Sequence, residues 1–266
     1  LEEDFFMVDA IKAAEILVDA HLRNELLEDI PDDCKAQTPD EAIEVQLAIL
    51  NHDKVTHNGW KVALTNKELQ EKAGVTEPAY GPIFEEFVFD NGHIFSDGQP
   101  TVGGIECEFA VILEEDLPAS GAPYTTTQAA EAVGSIHPAI EITGMRFKTR
   151  SNLGRPGSTM DFAGNFAFVF AEGTADWQRF DLPSHKVQHI VDGELIKEST
   201  GAWVLDNPLN SISFLANKLA NRGIDLKAGE WISTGAATGP IPIGAGSKVE
   251  ANFGELGSCS CIMPKV

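Results

Sequence analysis

Residues 103–113 constrain this chain more than any other stretch, because Gly-Gly-Ile-Glu-Cys-Glu-Phe-Ala-Val-Ile-Leu alternates with the period of two that only a strand can use. Ile105, Cys107, Phe109, Val111 and Leu113 line one apolar face. The other face opens with Glu106 and Glu108 and turns apolar only at Ala110 and Ile112. Neighbouring carboxylates on one face repel each other, so a half-buried strand carries them only where a cation, a proton or open water relieves the charge. Open water is the simplest relief for an isolated Glu-x-Glu.

A second stretch shifts that balance. In Ile136-His137-Pro138-Ala139-Ile140-Glu141-Ile142 the isoleucines 140 and 142 share one face and Glu141 takes the other, a third acid on a strand patterned for burial. Three carboxylates from two strands make an oxygen-rich cluster suited to a hard divalent ion such as Mg²⁺. Zinc is disfavoured, because no Cys or His stands at ligand spacing, and a strand bearing His185 and His189 ahead of the Asp192-Gly193 turn would hold those rings too far apart to chelate. His137 reads as a loop or supporting residue.

Composition narrows the partners. The 266 residues carry 41 acidic against 19 basic side chains, a formal charge of −22, which repels phosphate backbones and anionic lipid surfaces; neither nucleic acid nor membrane is an expected partner. With 43% hydrophobic residues and no apolar run of spanning length, the pattern is that of a globular chain. The opening Leu1-Glu2-Glu3-Asp4 lacks the basic region of a signal peptide. Cys34, Cys107, Cys259 and Cys261 form no Cys-x-x-Cys pair, which suits a reduced, cytoplasmic compartment, and the last two share one face of a strand as buried thiols.

In chain order, Met7, Ile11, Ala14, Leu17 and Leu22 give the stripe of an amphipathic helix, and Thr38-Pro39 with Glu41 opens a second through a capping box. Residues 60–65, Trp-Lys-Val-Ala-Leu-Thr, form a strand whose inner face is Trp60, Val62 and Leu64. Lys61 points the other way among the small residues Ala63 and Thr65, with room for a ligand or an open path to solvent. Thr65 and Glu68 suggest a capping box for a short helix closed by Gly74, and residues 76–82 read as a turn-rich loop. Arg146, Lys148, Arg150 and Arg155 make a basic island, read either as a loop closing over an anionic substrate or as a solvated balance to nearby acids. Asp161 leads into an apolar strand ending at Phe170. Asn207-Pro208 caps a helix striped by Ile212, Leu215, Ala216 and Leu219, and strands at 231–234, 248–253 and 258–263 complete a largely antiparallel sheet or roll.

Read together, Trp60-Lys61-Val62-Ala63-Leu64-Thr65, Ile105-Glu106-Cys107-Glu108, His137-Pro138-Ala139-Ile140-Glu141, Asp161-Phe162-Ala163 and Asn207-Pro208-Leu209 through the closing Gly257-Ser258 resemble the fumarylacetoacetate hydrolase superfamily. Within it they are similar to the 2-keto-4-pentenoate hydratase and 4-oxalocrotonate decarboxylase branch. The resemblance implies an α+β protein, a β-rich mixed roll at residues 59–266 preceded by a helical segment at 1–58, assembled as a homo-oligomer. It implies Mg²⁺ or Mn²⁺ on Glu106, Glu108 and Glu141 with Lys61 as the active-site lysine, and Tyr80 and Asp161, or else Glu77, are the catalytic candidates for the role of a loop acid that Ala79 cannot fill. Thr65, Arg146 and Thr234 are its expected substrate contacts. The implied activity is hydration of a 2-hydroxypenta-2,4-dienoate-like acid in the breakdown of aromatic ring-cleavage products. Decarboxylation of a related oxalocrotonate is the alternative, as is a ligand-binding homologue without chemistry. The chain departs from the pattern where Ala79 stands in place of the usual loop acid of the hydratases, where Gly104 replaces a basic residue, and where Asp161-Phe162-Ala163-Gly164 replaces an Asp-Asn-Ala-Ser type motif.

Overall fold

Local signals start the N-terminal helices. The computed structural model describes residues 7–96, 103–149 and 154–265, so the acidic opening at residues 1–4 and Arg150 of the basic island lie outside the described residues. Helix α1 (Ala10–Leu22) begins at Asp9, whose carboxylate accepts the Lys12 N–H, and α2 (Pro39–Leu50) begins at the Thr38/Glu41 capping box. Leu17 and Val18 of α1 meet Val45 and Ile49 of α2 in a core that also takes in Phe84, Met145, Phe147, Met160 and Phe162 from much later in the chain.

The chain continues through β1 (His57–Ala63), α3 (Lys67–Ala73), β2 (Ala79–Phe84), β3 (Val88–Asp90), β4 (His93–Ile94), β5 (Ile105–Leu113), α4 (Thr126–Glu131) and β6 (Val133–Thr143). It ends with α5 (Gly154–Met160), β7 (Asn165–Phe170), β8 (Lys186–Val191), β9 (Glu194–Thr200), α6 (Leu209–Ala220), β10 (Trp231–Ala236), β11 (Lys248–Asn252) and β12 (Ser258–Ile262). Two expectations need correction. The N-cap of α3 is Asn66, whose side chain accepts the Glu68 N–H, because Thr65 is buried instead. The supposed loop at 76–82 runs into β2, which pairs antiparallel with β1; its Pro82 is tolerated because β2 is an edge strand with one unpaired side.

Seven strands form one sheet in the order β2-β1-β10-β5-β6-β7-β3, and five form another in the order β4-β12-β11-β8-β9. Most neighbours are antiparallel, with β1/β10, β3/β7 and β4/β12 parallel. The apolar faces of β5 and β6, carrying Cys107, Phe109 and Ile140, pack with Val187, Val249 and Cys259 of the smaller sheet and with Ile212 and Leu215 of α6. All four cysteines are buried free thiols. This is the expected α+β arrangement of mixed β-sheets preceded by helices, and it leaves the opposite face of the large sheet for the acids.

One close approach locks β1 against β10 in that sheet. Gly59 of β1 lies beside Trp231 of β10, and a Cβ at position 59 would stand 2.0 Å from the Trp231 carbonyl oxygen. The backbone, not a flexible side chain, would have to move. Gly59→Ala should therefore destabilise the fold by about 1–3 kcal/mol, the range of an overpacked interior. A thermal melt lowered by several degrees would show it, and an unchanged melt would contradict the packing argument.

Candidate metal centre and its cavity

Register decides where the acids go. Strands β5 and β6 pair so that Glu106 stands directly opposite Glu141, and Glu108 lies two residues further along the same face. The alternate residues of both strands go into the inter-sheet core, so all three carboxylates emerge together on the other side. Each offers an oxygen within 4.8 Å of the other two. Glu108 and Glu141 are fully buried.

Four groups orient this cluster, from the flanking strands β10 and β7 and from β1 one strand further out. Lys61 of β1, 2% exposed, donates from Nζ to Glu141 Oε1 at 2.8 Å, and Asn165 of β7 donates from Nδ2 to the same oxygen at 3.0 Å. On β10 the Ser233 hydroxyl donates to Glu108 Oε2, and an irregularity in the pairing between Ser233 and Ala236 lets the Gly235 N–H reach that oxygen at 3.2 Å. One oxygen of each of these two carboxylates is thus fixed. The other, Glu108 Oε1 and Glu141 Oε2, is buried without a protein partner.

Orphaned buried acceptors beside each other are costly unless a cation meets them. Three carboxylate donors and no softer ligand suit Mg²⁺, Mn²⁺ or Ca²⁺ chemistry, so the residues present fit a hard divalent ion. The fixed partners act as the outer supports that orient such ligands. Without a cation, burial and the Glu141 charge push the Glu106 carboxyl up to about 8, and burial together with Glu141 and Glu106 pushes Glu108 up as well. Burial pulls the Lys61 ammonium down, but the charges of Glu141, Glu106 and Glu108 outweigh it and hold the amine above its ordinary value.

A cavity of about 350 Å³ opens over the cluster, with Lys61 and Glu106 reaching it and Thr65, Ala79, Thr159, Ala163 and Gly164 among its walls. Lys72 and Arg155 also line it, so apart from Glu106 every charged residue among the described lining residues is cationic. The structure brings Lys61, Thr65 and the three glutamates to this place. It does not bring the other four sequence candidates.

Parity explains two of the corrections. Thr234 follows Ser233 on β10 and so faces the core, where its hydroxyl donates to the Phe109 carbonyl at 2.9 Å; Ser233 is the residue on the cluster side. Likewise Ala79 rather than its neighbour Tyr80 lines the cavity. Tyr80 sits in an adjoining cavity with Arg222, its phenol pushed up by burial against the opposing charge of that arginine. The third correction concerns Arg146 and Asp161, which are buried and pair with each other at 2.6 Å instead of facing ligand space. Of the basic island, Lys148 pairs with Glu28 at the surface and Arg155 alone among the described residues lines the cavity. Sequence reasoning passed over Ser233, Asn165 and Gly235; the only signal for the first was its shared parity with Lys61, which depends on knowing the β1/β10 register.

Glu106→Ala, Glu108→Ala and Glu141→Ala should each abolish Mg²⁺ or Mn²⁺ binding in calorimetry, while Lys61→Ala, which removes no oxygen donor, should retain it. A cation must also displace the proton that Glu106 holds up to about pH 8, so metal affinity should rise as pH increases towards 8 and fall below it. Affinity that stays constant from pH 6 to 9, with no protons released on binding, would contradict this picture.

Comparison with known proteins follows the same line. No family model matches the chain. It is 28% identical over 211 residues to the 2-oxo-hept-4-ene-1,7-dioate hydratase of Escherichia coli, covering 77% of this chain and 78% of that one. The 2-keto-4-pentenoate hydratase of Burkholderia vietnamiensis is 28% identical over 200 residues, 75% of either chain. The 4-oxalocrotonate decarboxylase of Pseudomonas putida is 27% identical over 250 residues, 93% of this chain and 94% of that one. Among solved structures, 4-oxalocrotonate decarboxylase from Pseudomonas putida G7, complexed with magnesium and adipate, superposes with a TM-score of 0.87 at 25% identity over 97% of both chains. Fumarylpyruvate hydrolase from Pseudomonas aeruginosa, with Mn²⁺ and pyruvate, shares the fold at a TM-score of 0.62 and 16% identity, covering 79% of this chain and 91% of that one. A putative fumarylacetoacetate hydrolase family protein from Yersinia pestis CO92 does so at 0.60 and 16%, covering 78% and 93%. The chain is therefore a homologue of the 2-keto-4-pentenoate hydratases and 4-oxalocrotonate decarboxylases, built on the fumarylacetoacetate hydrolase fold.

Proposed function

We propose that this protein is a metal-dependent lyase that adds water to a 2-hydroxypenta-2,4-dienoate-like acid in the breakdown of aromatic ring-cleavage products. The observation that carries the reading is the carboxylate cluster with two orphaned buried oxygens, set with a buried lysine at the end of a cavity of about 350 Å³. That volume suits a small organic acid. The relatives named as hydratases support the reaction class.

In this reading Glu106, Glu108 and Glu141 hold Mg²⁺ or Mn²⁺, which supplies a Lewis acid for the negative charge that develops on the oxygens of a 2-oxo acid. Lys61 is the proton carrier. Its ammonium is held on Glu141 Oε1 and lines the same cavity, the position from which a proton carrier could meet a bound acid. Thr65 offers a hydroxyl at the cavity wall, and Arg155 and Lys72, the latter paired with Glu68 at 2.6 Å, place cationic side chains beside the space an anionic acid would fill. Residues 59–266 carry the chemistry and residues 1–58 brace it, in a homo-oligomer of the cytoplasm.

One observation favours decarboxylation as a second reading. Water addition needs a group to manage protons at the far end of the dienoate, and Ala79 cannot serve. The described alternatives turn away: Glu77 pairs with Lys218 at 2.6 Å, Tyr80 faces the adjoining cavity, and Asp161 is paired with Arg146. A decarboxylase needs chiefly an electron sink at the 2-oxo group and tolerates that loss better.

Offering the purified protein 2-hydroxypenta-2,4-dienoate and 2-oxohex-3-enedioate in parallel with Mg²⁺, while following dienol absorbance and carbon dioxide, decides between them. Loss of the first substrate by hydration is expected, and Lys61→Ala should reduce it by about 10²-fold or more, the scale of a general acid–base group. Carbon dioxide from the second substrate without hydration of the first would make the protein a decarboxylase. Silence with both substrates, with Mg²⁺ and with Mn²⁺ in its place, would leave a ligand-binding homologue.

A further inference from the structure

Two side chains that the proposed chemistry does not touch are too specifically connected to be passive filling. Arg146 and Asp161, 1% and 0% exposed, stand fifteen residues apart in the chain, and Arg155, Ser158 and Thr159 of α5, which Asp161 directly follows, line the cavity. The Asp161 carboxylate takes Arg146 twice, from Nε at 2.6 Å and from the backbone N–H at 2.9 Å. The guanidinium then donates from Nη2 to the Gly144 carbonyl at 3.1 Å and to the Asp161 carbonyl at 3.3 Å, while Nη1 meets His21 Nδ1 of α1 at 2.5 Å.

What this fork holds is an unusual piece of backbone. Phe162 and Ala163 both have φ of +51°, and Gly164 follows at +78°. Side-chain-bearing residues avoid that region unless their surroundings impose it. Here the Phe162 ring lies 4.7 Å beneath the guanidinium and stacks with His21 at 4.8 Å, and the Gly144 N–H donates to the Gly164 carbonyl at 2.9 Å. The turn presents Ala163 and Gly164 to the cavity, and the next residue, Asn165, places its amide on Glu141.

We propose that Arg146 and Asp161 are positioning residues: their buried pair imposes the left-handed Phe162–Gly164 turn, which sets one wall of the cavity and seats Asn165 against Glu141. The proposal rests on reading this cavity as the active site. A buried ion pair is poorly suited to stabilising a fold, since well-packed apolar replacements often do as well, whereas its directional hydrogen bonds specify one backbone geometry over its neighbours. Displacement of a site by about 1 Å costs on the order of 10²-fold in rate.

The test compares wild type, the Arg146→Met/Asp161→Asn double variant and a Val187→Ala control whose cavity lies in the inter-sheet core. The double variant removes both charges, keeps the hydrocarbon volume and leaves an amide oxygen at position 161 able to accept the residue-146 N–H. Its turnover per folded molecule, measured well below its melting temperature, should fall by about 10²-fold, while the control at comparable loss of melting temperature keeps wild-type turnover. Its crystal structure should show residues 162 and 163 out of the left-handed region and the Asn165 amide beyond hydrogen-bond reach of Glu141. A preserved turn, or turnover equal to the control, overturns the proposal. If the double variant does not fold, Arg146→Lys, which keeps the charge but loses the fork, carries the same two readouts. Should wild type turn over neither substrate, the functional reading fails on its own. The crystal structure of the variant still decides whether the pair imposes the turn.

Discussion

Three carboxylates forced together on a buried sheet face are the constraint around which the rest of this molecule is arranged. Two ionised carboxylates within 4.8 Å would repel by roughly 3 kcal/mol at the effective dielectric of a protein site, and ionising all three would make three such pairs. One lysine cannot balance them. The structure answers with contributions from five adjacent strands: Lys61 from β1, Ser233 and Gly235 from β10, the acids themselves from β5 and β6, and Asn165 from β7. Even so, two oxygens stay unpartnered, which is the shape of a demand for a cation rather than of a finished hydrogen-bond network.

That demand fixes the role of the two sheet faces. The core face of the large sheet carries no acid, and its Cys107, Phe109 and Ile140 bury against the smaller sheet as an ordinary apolar interior. The opposite face is divided between the cluster and a small apolar group of Ile83, Ala110, Ala139, Phe168 and Phe170. Helices α1 and α2 close over the side where the Phe162 turn lies, so the N-terminal segment shares its core with the chain that forms the cavity wall. A disturbance in either helix would therefore be felt at that wall.

Much of this was legible in the chain itself. Period-two alternation placed Glu106 and Glu108 on one face and Glu141 on its own strand, and the Thr38 capping box, Gly74 stop and Asp192-Gly193 hairpin were all local events that short-range physics decides. The misplacements have a common origin. Thr234 and Tyr80 were each one residue from a position that matters, and in a strand a one-residue error reverses the face. Arg146 and Asp161 carry the residue types of a binding site, and nothing local reveals that each is the other's partner across fifteen residues.

The sequence by itself thus determined most of the helices, the polarity of the β5 and β6 faces and the set of acids that calls for a hard cation, because these follow from periodicity and from the cost of burying charge. Tertiary structure alone decided which neighbours complete the site. Cross-strand register brought Glu141 opposite Glu106, the irregularity in β10 turned the Gly235 N–H onto Glu108, and long-range pairing withdrew Arg146 and Asp161 from the cavity to hold its wall. Register and long-range pairing are choices between strands and segments far apart in the chain, made by the packing of the whole sheet, and no local pattern encodes them.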